Sequence, residues 1–94
     1  MARRVARGDI WMYRFAKPDK RRPVLVLSRP AALKYIRTAI VAPITTEIRG
    51  LPSEVHLDTR HGLKQDSAVN LDHLYTVPQS ELRQWLGRLD SQHM

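Results

Sequence analysis

The chain has 94 residues, no cysteine, and 16 lysines and arginines against nine acidic residues, for a net charge of +7. This length allows one small domain, the lack of cysteine excludes disulfides and thiolate metal sites, and no apolar run approaches the ~18 residues of a membrane-spanning helix. Residues 1–37 carry eleven basic side chains against two acidic ones, a surface that suits a polyanion, with solubility alone as the alternative explanation.

Short apolar runs separated by polar turns predict strands in the first half of the chain. The predicted elements, in order, are a flexible basic arm (1–6), a strand (10–15), a charged hairpin connection (16–21), a strand (23–28), one helical turn (31–36) and a strand (37–45). Pro30 ends the second of these strands, because proline removes a backbone donor. Pro43 lies inside the third strand and predicts a bulge or an unpaired edge position there.

The second half continues the pattern of short strands and ends with a helix signal. The predicted elements are a polar loop (47–52), strands (54–57, 67–71 and 74–77), a short helix (80–85) and a last strand (88–90). Ser80 is the predicted N-cap of the helix, and Gly87 closes it. Many short strands with frequent turns indicate a mainly β fold, a small antiparallel barrel formed by one domain over residues 1–94.

The two most apolar strands carry polar groups at neighbouring ends. Arg22 opens one strand and Thr45 closes the next. A guanidinium and a hydroxyl held on adjacent strands provide the donors that a phosphate group needs. The alternative is that Arg22 is a solvated charge and that Thr45 is present for its strand propensity.

Several segments recur in the order and spacing of a known family. They are RGDIW, RPVLVLS, VAPITT, LPSEVHL, GLKQDSAVNLD and LxxxLGRL. Together they make the chain similar to the MazF/PemK toxins of type II toxin–antitoxin systems, over about residues 7–90. The resemblance implies an SH3-like barrel with short helices, usually a homodimer, and sequence-specific endoribonuclease (mRNA interferase) activity. The family's C-terminal helix is expected to be missing, through truncation or because the member is short.

The resemblance also implies site residues. The family's catalytic arginine corresponds to Arg22, its threonine to Thr45, and an acid that some members use as a base to Asp72. Where some members place an arginine before that acid, this chain has Asn70, so that version of the mechanism stays open. The residues expected to bind RNA are Lys17, Lys20, Arg21, Thr46, Asn70 and His73.

RNA supplies its own nucleophile, so the expected reaction needs no cofactor or metal. The 2′-OH attacks the adjacent phosphate and leaves a 2′,3′-cyclic phosphate and a 5′-OH. Arg22 is suited to stabilise the added charge, Thr45 to donate a hydrogen bond, and Asp72 to accept the proton if burial raises its pKa. The histidines, at positions 56, 61, 73 and 93, lack zinc-ligand spacing, and His73 is either a proton-transfer group or a surface ring.

The expected partners follow from the charge and the resemblance. They are single-stranded RNA, a second copy of the chain, and a MazE-like antitoxin whose acidic disordered segment lies along the basic groove. No signal peptide or membrane segment is evident, so a cytoplasmic protein is expected. Two alternatives share the barrel: a non-enzymatic toxin like CcdB that poisons DNA gyrase, and a catalytically inactive nucleic-acid-binding barrel. Only the site separates these functions.

Overall fold

A computed structural model describes residues 4–15, 20–48, 50, 52, 54–58, 60 and 62–89, with the side chain of Lys20 outside the description. The strands are β1 Asp9–Phe15, β2 Lys20–Val26, β3 Thr38–Thr45, β4 Glu54–Leu57, β5 Ser67–Asn70, β6 Tyr75–Pro78 and β7 Gln84–Arg88. A single α-helix in this part of the chain, α1, covers Pro30–Tyr35, and a 3₁₀ turn covers Gln79–Glu81. None of the described helices is long and apolar enough to cross a membrane.

The strands form one antiparallel sheet that curls into a half-barrel. Its order is β4-β5-β3-β2-β1-β7, and β6 also pairs with β3. The predicted mainly β, SH3-like barrel is therefore confirmed, and β3 is its centre because it pairs with three other strands.

Alternation along the strands divides the core between the two faces of the sheet. Val24, Val26 and Val41 belong to a first buried cluster, which also contains Trp11. Their immediate neighbours, such as Leu25, belong to a second buried cluster with Ile10, Ala42, Ile44, Leu57, Leu63, Val69 and Leu89. Successive strand residues point to opposite faces, and burial of each large apolar side chain stabilises the fold by about 1.5–3 kcal/mol.

Pro43 lies where β3 changes partners. β6 pairs with β3 as far as Val41, and β5 pairs with it from Ile44 onward. On the other side, Pro43 lies opposite Val24 of β2. A residue without a backbone N–H is best tolerated where a ladder is interrupted, which agrees with the irregularity that its position in the sequence predicted.

The predicted helix at residues 80–85 is wrong. Only Gln79–Glu81 are helical, as a single 3₁₀ turn, and no side-chain hydrogen bond caps the start of this turn. The following residues Gln84–Arg88 form β7. This strand pairs with β1, with Trp85 opposite Trp11. The local cap signal is overridden because pairing along β1 satisfies the backbone and allows Leu82 and Leu89 to be buried.

A buried carboxylate connects the start of the chain to β7. Asp9 is fully buried and accepts hydrogen bonds from the Ala6 backbone N–H at 2.9 Å, the Trp11 indole at 3.2 Å and the Arg88 guanidinium at 2.8 Å. Val5 is also buried, in the first cluster. The predicted flexible arm therefore does not extend through residue 6, because Val5 and Ala6 are attached to the barrel.

Candidate functional site

The start of β2 and the end of β3 are not paired with each other, and the candidate site lies between them. The two strands pair only from Val24 opposite Pro43 to Val26 opposite Val41. Continuing this register outward places Arg22 opposite Thr45, beyond the last pair. There β2 stays paired with β1, while β3 pairs with β5 instead. A cleft opens between the two strand ends as a result.

The cleft has a volume of about 240 Å³ and a mostly polar lining. Its lining residues are Arg22, Pro43, Thr45, Glu47, Glu54, Asn70 and His73. Thus two of the three predicted catalytic residues, Arg22 and Thr45, line one cleft, together with two of the predicted RNA-binding residues, Asn70 and His73.

The hydroxyl of Thr45 is oriented by a neighbouring backbone group. Its Oγ1 accepts a hydrogen bond from the Glu47 N–H at 3.1 Å. A hydroxyl that accepts at its oxygen still has its own hydrogen to donate. Thr45 can therefore donate to a ligand in the cleft, while its strand holds it in place.

The third predicted catalytic residue, Asp72, does not line this cleft. It is exposed in the turn after β5. Its backbone N–H donates to the Oδ1 of Asn70 at 2.9 Å. Two carboxylates that the sequence reasoning missed, Glu47 and Glu54, line the cleft instead. Glu54 lies opposite Asn70 in the ladder of β4 and β5, a pairing that no local motif reveals.

Arg21 and Thr46 lie on the opposite face of the sheet. They line a second cleft of about 460 Å³ beside Leu63 of the second core cluster. There Arg21 donates to the side-chain oxygen of Gln84 at 2.9 Å. The reason is alternation: each is the immediate neighbour of a residue that faces the first cleft. Lys17 and the side chain of Lys20 lie outside the described residues.

A third cleft, of about 390 Å³, opens where β1 and the segment before β7 separate. It is lined by three arginines, Arg14, Arg21 and Arg83, and by Tyr13 and Glu81 among others. The Tyr13 hydroxyl donates to Glu81 at 3.0 Å. Burial, followed by this hydrogen bond and the charge of Glu81, raises the pKa of Tyr13 above its ordinary value. Because three arginines line this third cleft, the positive charge at Arg21 continues along the edge of the sheet.

Among the residues that the structure describes, no three His, Asp or Glu side chains are grouped closely enough to hold a metal ion. The donors that line the first cleft are a guanidinium, a hydroxyl, an amide and an imidazole. This set suits an oxyanion such as a phosphate group.

Known proteins share both the sequence and the fold. The chain is 49% identical over 85 residues to a probable endoribonuclease, MazF5, of Mycobacterium tuberculosis, covering 89% of this chain and 77% of that one. It superposes on the M. tuberculosis toxin MazF-mt6 with a TM-score of 0.81 and 38% identity, covering 90% of this chain and 83% of that chain. An endoribonuclease in complex with its cognate antitoxin, from a mycobacterial species, shares the fold with a TM-score of 0.85 at 23% identity, covering 96% and 84% of the two chains.

The family assignment rests on nearly the whole sequence. Residues 6–94 match the family model described as PemK-like, MazF-like toxin of type II toxin–antitoxin system. The motifs that carry Arg22 and Thr45 lie within this range, and the cleft that the two side chains share is part of the matched fold. The chain therefore belongs to the PemK-like, MazF-like toxins of type II toxin–antitoxin systems.

Proposed function

We propose that this protein is an endoribonuclease toxin that cleaves single-stranded RNA at a short sequence, without a metal ion. The observation that carries the proposal is the shared cleft of Arg22 and Thr45 at the diverging ends of β2 and β3. The names of its relatives, which are endoribonucleases, support the same activity.

The proposed reaction is a transfer of the phosphate within the RNA. The 2′-oxygen forms a bond to phosphorus, the bond from phosphorus to the 5′-oxygen breaks, and one proton leaves the 2′-OH while another reaches the 5′-oxygen. Arg22 donates to the non-bridging oxygens as negative charge develops on them, and it stays protonated throughout. Thr45 donates its hydroxyl hydrogen to the same group, from the geometry that the Glu47 N–H imposes.

The proton acceptor in this proposal is a carboxylate of the cleft and not Asp72. Glu54 is half-buried on β4, and Glu47 follows the end of β3. A carboxylate within reach of the 2′-OH can take its proton. Comparing Glu54→Gln, Glu47→Gln and Asp72→Asn by single-turnover cleavage assigns the role. We expect one of the two glutamine variants to lose activity and Asp72→Asn to keep it.

The test of the function uses purified protein and a long RNA in the presence of EDTA. We expect cleavage at a recurring short sequence, with cyclic phosphate and 5′-OH ends. A single 2′-deoxy substitution on the 5′ side of the cut removes the nucleophile and should stop cleavage there. Intact RNA after incubation with folded protein would contradict the proposal and favour the non-enzymatic toxin or the inactive binding barrel.

We propose further that an acidic, disordered antitoxin segment inhibits the enzyme, and that the chain acts as a homodimer. The antitoxin proposal is supported by the arginines of the first and third clefts and by the related fold that is found with its cognate antitoxin. Binding of the antitoxin segment should weaken steeply with salt and compete with RNA.

The homodimer has its own test. Sedimentation at micromolar concentration that shows only monomer would contradict the dimer.

A further inference from the structure

Asn70, the last residue of β5, forms a hydrogen-bonded unit with Asp72 and His73 at the edge of the first cleft. The Oδ1 of Asn70 accepts from the Asp72 backbone N–H at 2.9 Å. The Nδ2 of Asn70 lies 3.1 Å from Nδ1 of His73. Asn70 and His73 both line the cleft that contains Arg22 and Thr45. The position of each hydrogen in this unit can be deduced from the donors and acceptors available.

A backbone N–H only donates, so the group of Asn70 that faces Asp72 must be its oxygen. The other end of the amide, its NH₂ group, then faces His73, and an NH₂ group also only donates. The facing ring nitrogen, Nδ1 of His73, must therefore be the unprotonated acceptor. A neutral imidazole has one ring hydrogen, which consequently lies on Nε2.

We infer that Asn70 is a positioning residue that holds His73 as the neutral Nε2–H tautomer, so that His73 provides a hydrogen-bond donor and not a base. The donor would act on the phosphate group of the substrate, beside Arg22 and Thr45; that the substrate is RNA rests on the proposed function. Nε2 carries its hydrogen and Nδ1 is occupied, so neither ring nitrogen is available to take the 2′-OH proton. Proton acceptance is thereby left to a carboxylate of the cleft.

The first test is spectroscopic and does not depend on catalysis. Long-range nitrogen–proton correlation spectra of the RNA-free wild-type protein at neutral pH distinguish the two imidazole tautomers. We expect His73 to show the Nε2–H form. In Asn70→Asp the carboxylate accepts from Nδ1–H, so the spectrum should change to a ring protonated at Nδ1. A wild-type ring protonated at Nδ1 would overturn the inference, whether or not the Asp variant folds.

The second test uses side chains that imitate one ring nitrogen each. The amide nitrogen of a glutamine reaches the position of Nε2, whereas the shorter asparagine reaches only that of Nδ1. We expect His73→Gln to cleave RNA within about tenfold of wild type, and His73→Asn and His73→Ala to lose about 10²-fold in turnover, as for the loss of one donor. His56, which is exposed on β4 and does not line the cleft, gives the control variant His56→Gln.

The outcomes distinguish an error in the role assigned to His73 from an error in the proposed endoribonuclease function. If His73→Gln is folded and as inactive as His73→Ala, then a hydrogen-bond donor at the position of Nε2 does not replace His73, and the assigned role is wrong. If wild-type protein leaves RNA intact, the proposed function is wrong, while the spectrum of the wild-type ring still confirms or overturns the tautomer.

Discussion

Arg21 and Arg22 are adjacent in the sequence, yet the structure predicts different consequences for their removal. Arg22 lines the cleft that contains Thr45, whereas Arg21 lies on the opposite face and donates to Gln84. If Arg22 donates to a phosphate group that gains negative charge, its loss removes about 3–4 kcal/mol of transition-state stabilisation, or two to three orders of magnitude in turnover. Arg22→Lys should recover little, because an ammonium lacks the forked pair of donors.

The matched control is Arg21→Ala. Both arginine side chains are exposed, so each substitution should change the free energy of unfolding by only about 0.5 kcal/mol or less. Arg21→Ala should therefore keep near-normal turnover and lower the affinity for RNA and the salt dependence of binding. The assay is single-turnover cleavage of an RNA in EDTA, with thermal unfolding measured alongside. Equal losses of turnover in the two variants, or full turnover in folded Arg22→Ala, would refute the assignment of the cleft.

Three further predictions follow from contacts described above. Thr45→Val should lose about 10²-fold or more in turnover without a large change in melting temperature, because it removes a donor and keeps the shape and strand propensity; normal turnover would exclude the hydroxyl. Asp9→Ala should lower the free energy of unfolding by about 1–3 kcal/mol, since it leaves the buried indole N–H of Trp11 without its acceptor, whereas the half-exposed Arg88 can turn to water; urea titration measures this loss. The pKa of Tyr13 is raised above 10.0 in the folded state, so its contribution to stability is present below pH 10 and lost as pH rises through the folded pKa. Stability should therefore fall less above pH 10 in Tyr13→Phe than in wild type.

Alternation and composition were sufficient to predict most of the strands. Val and Ile runs with polar breaks indicated the central pair of strands. Pro43 indicated an irregularity in β3, and in the structure β3 changes its partner strand from β6 to β5 at this residue. The helix expected at residues 80–85 failed because its signals are local, whereas β7 is stabilised by β1, far away in the sequence. Single-sequence patterns contain no information about such a partner.

The site was only partly predictable. Family motifs located Arg22 and Thr45, and the structure brings these two residues to one cleft. Strand parity alone would have placed Arg21 and Thr46 on the other face, since neighbouring strand residues point in opposite directions. Glu54 had no comparable signal, because it reaches the cleft through the pairing of β4 with β5, which depends on the folded sheet.

The buried contact of Asp9 with Arg88 has a consequence for how the protein folds as it is synthesised. The two residues are 79 positions apart, and β1 and β7 pair along the same edge of the sheet. Contacts between such distant residues form late and slow folding, because a long loop must first close. On the ribosome, β1 therefore has to wait for residues 84–88 to emerge before β7 can cover it. We expect the nascent toxin to remain incompletely folded until synthesis of the barrel is almost finished.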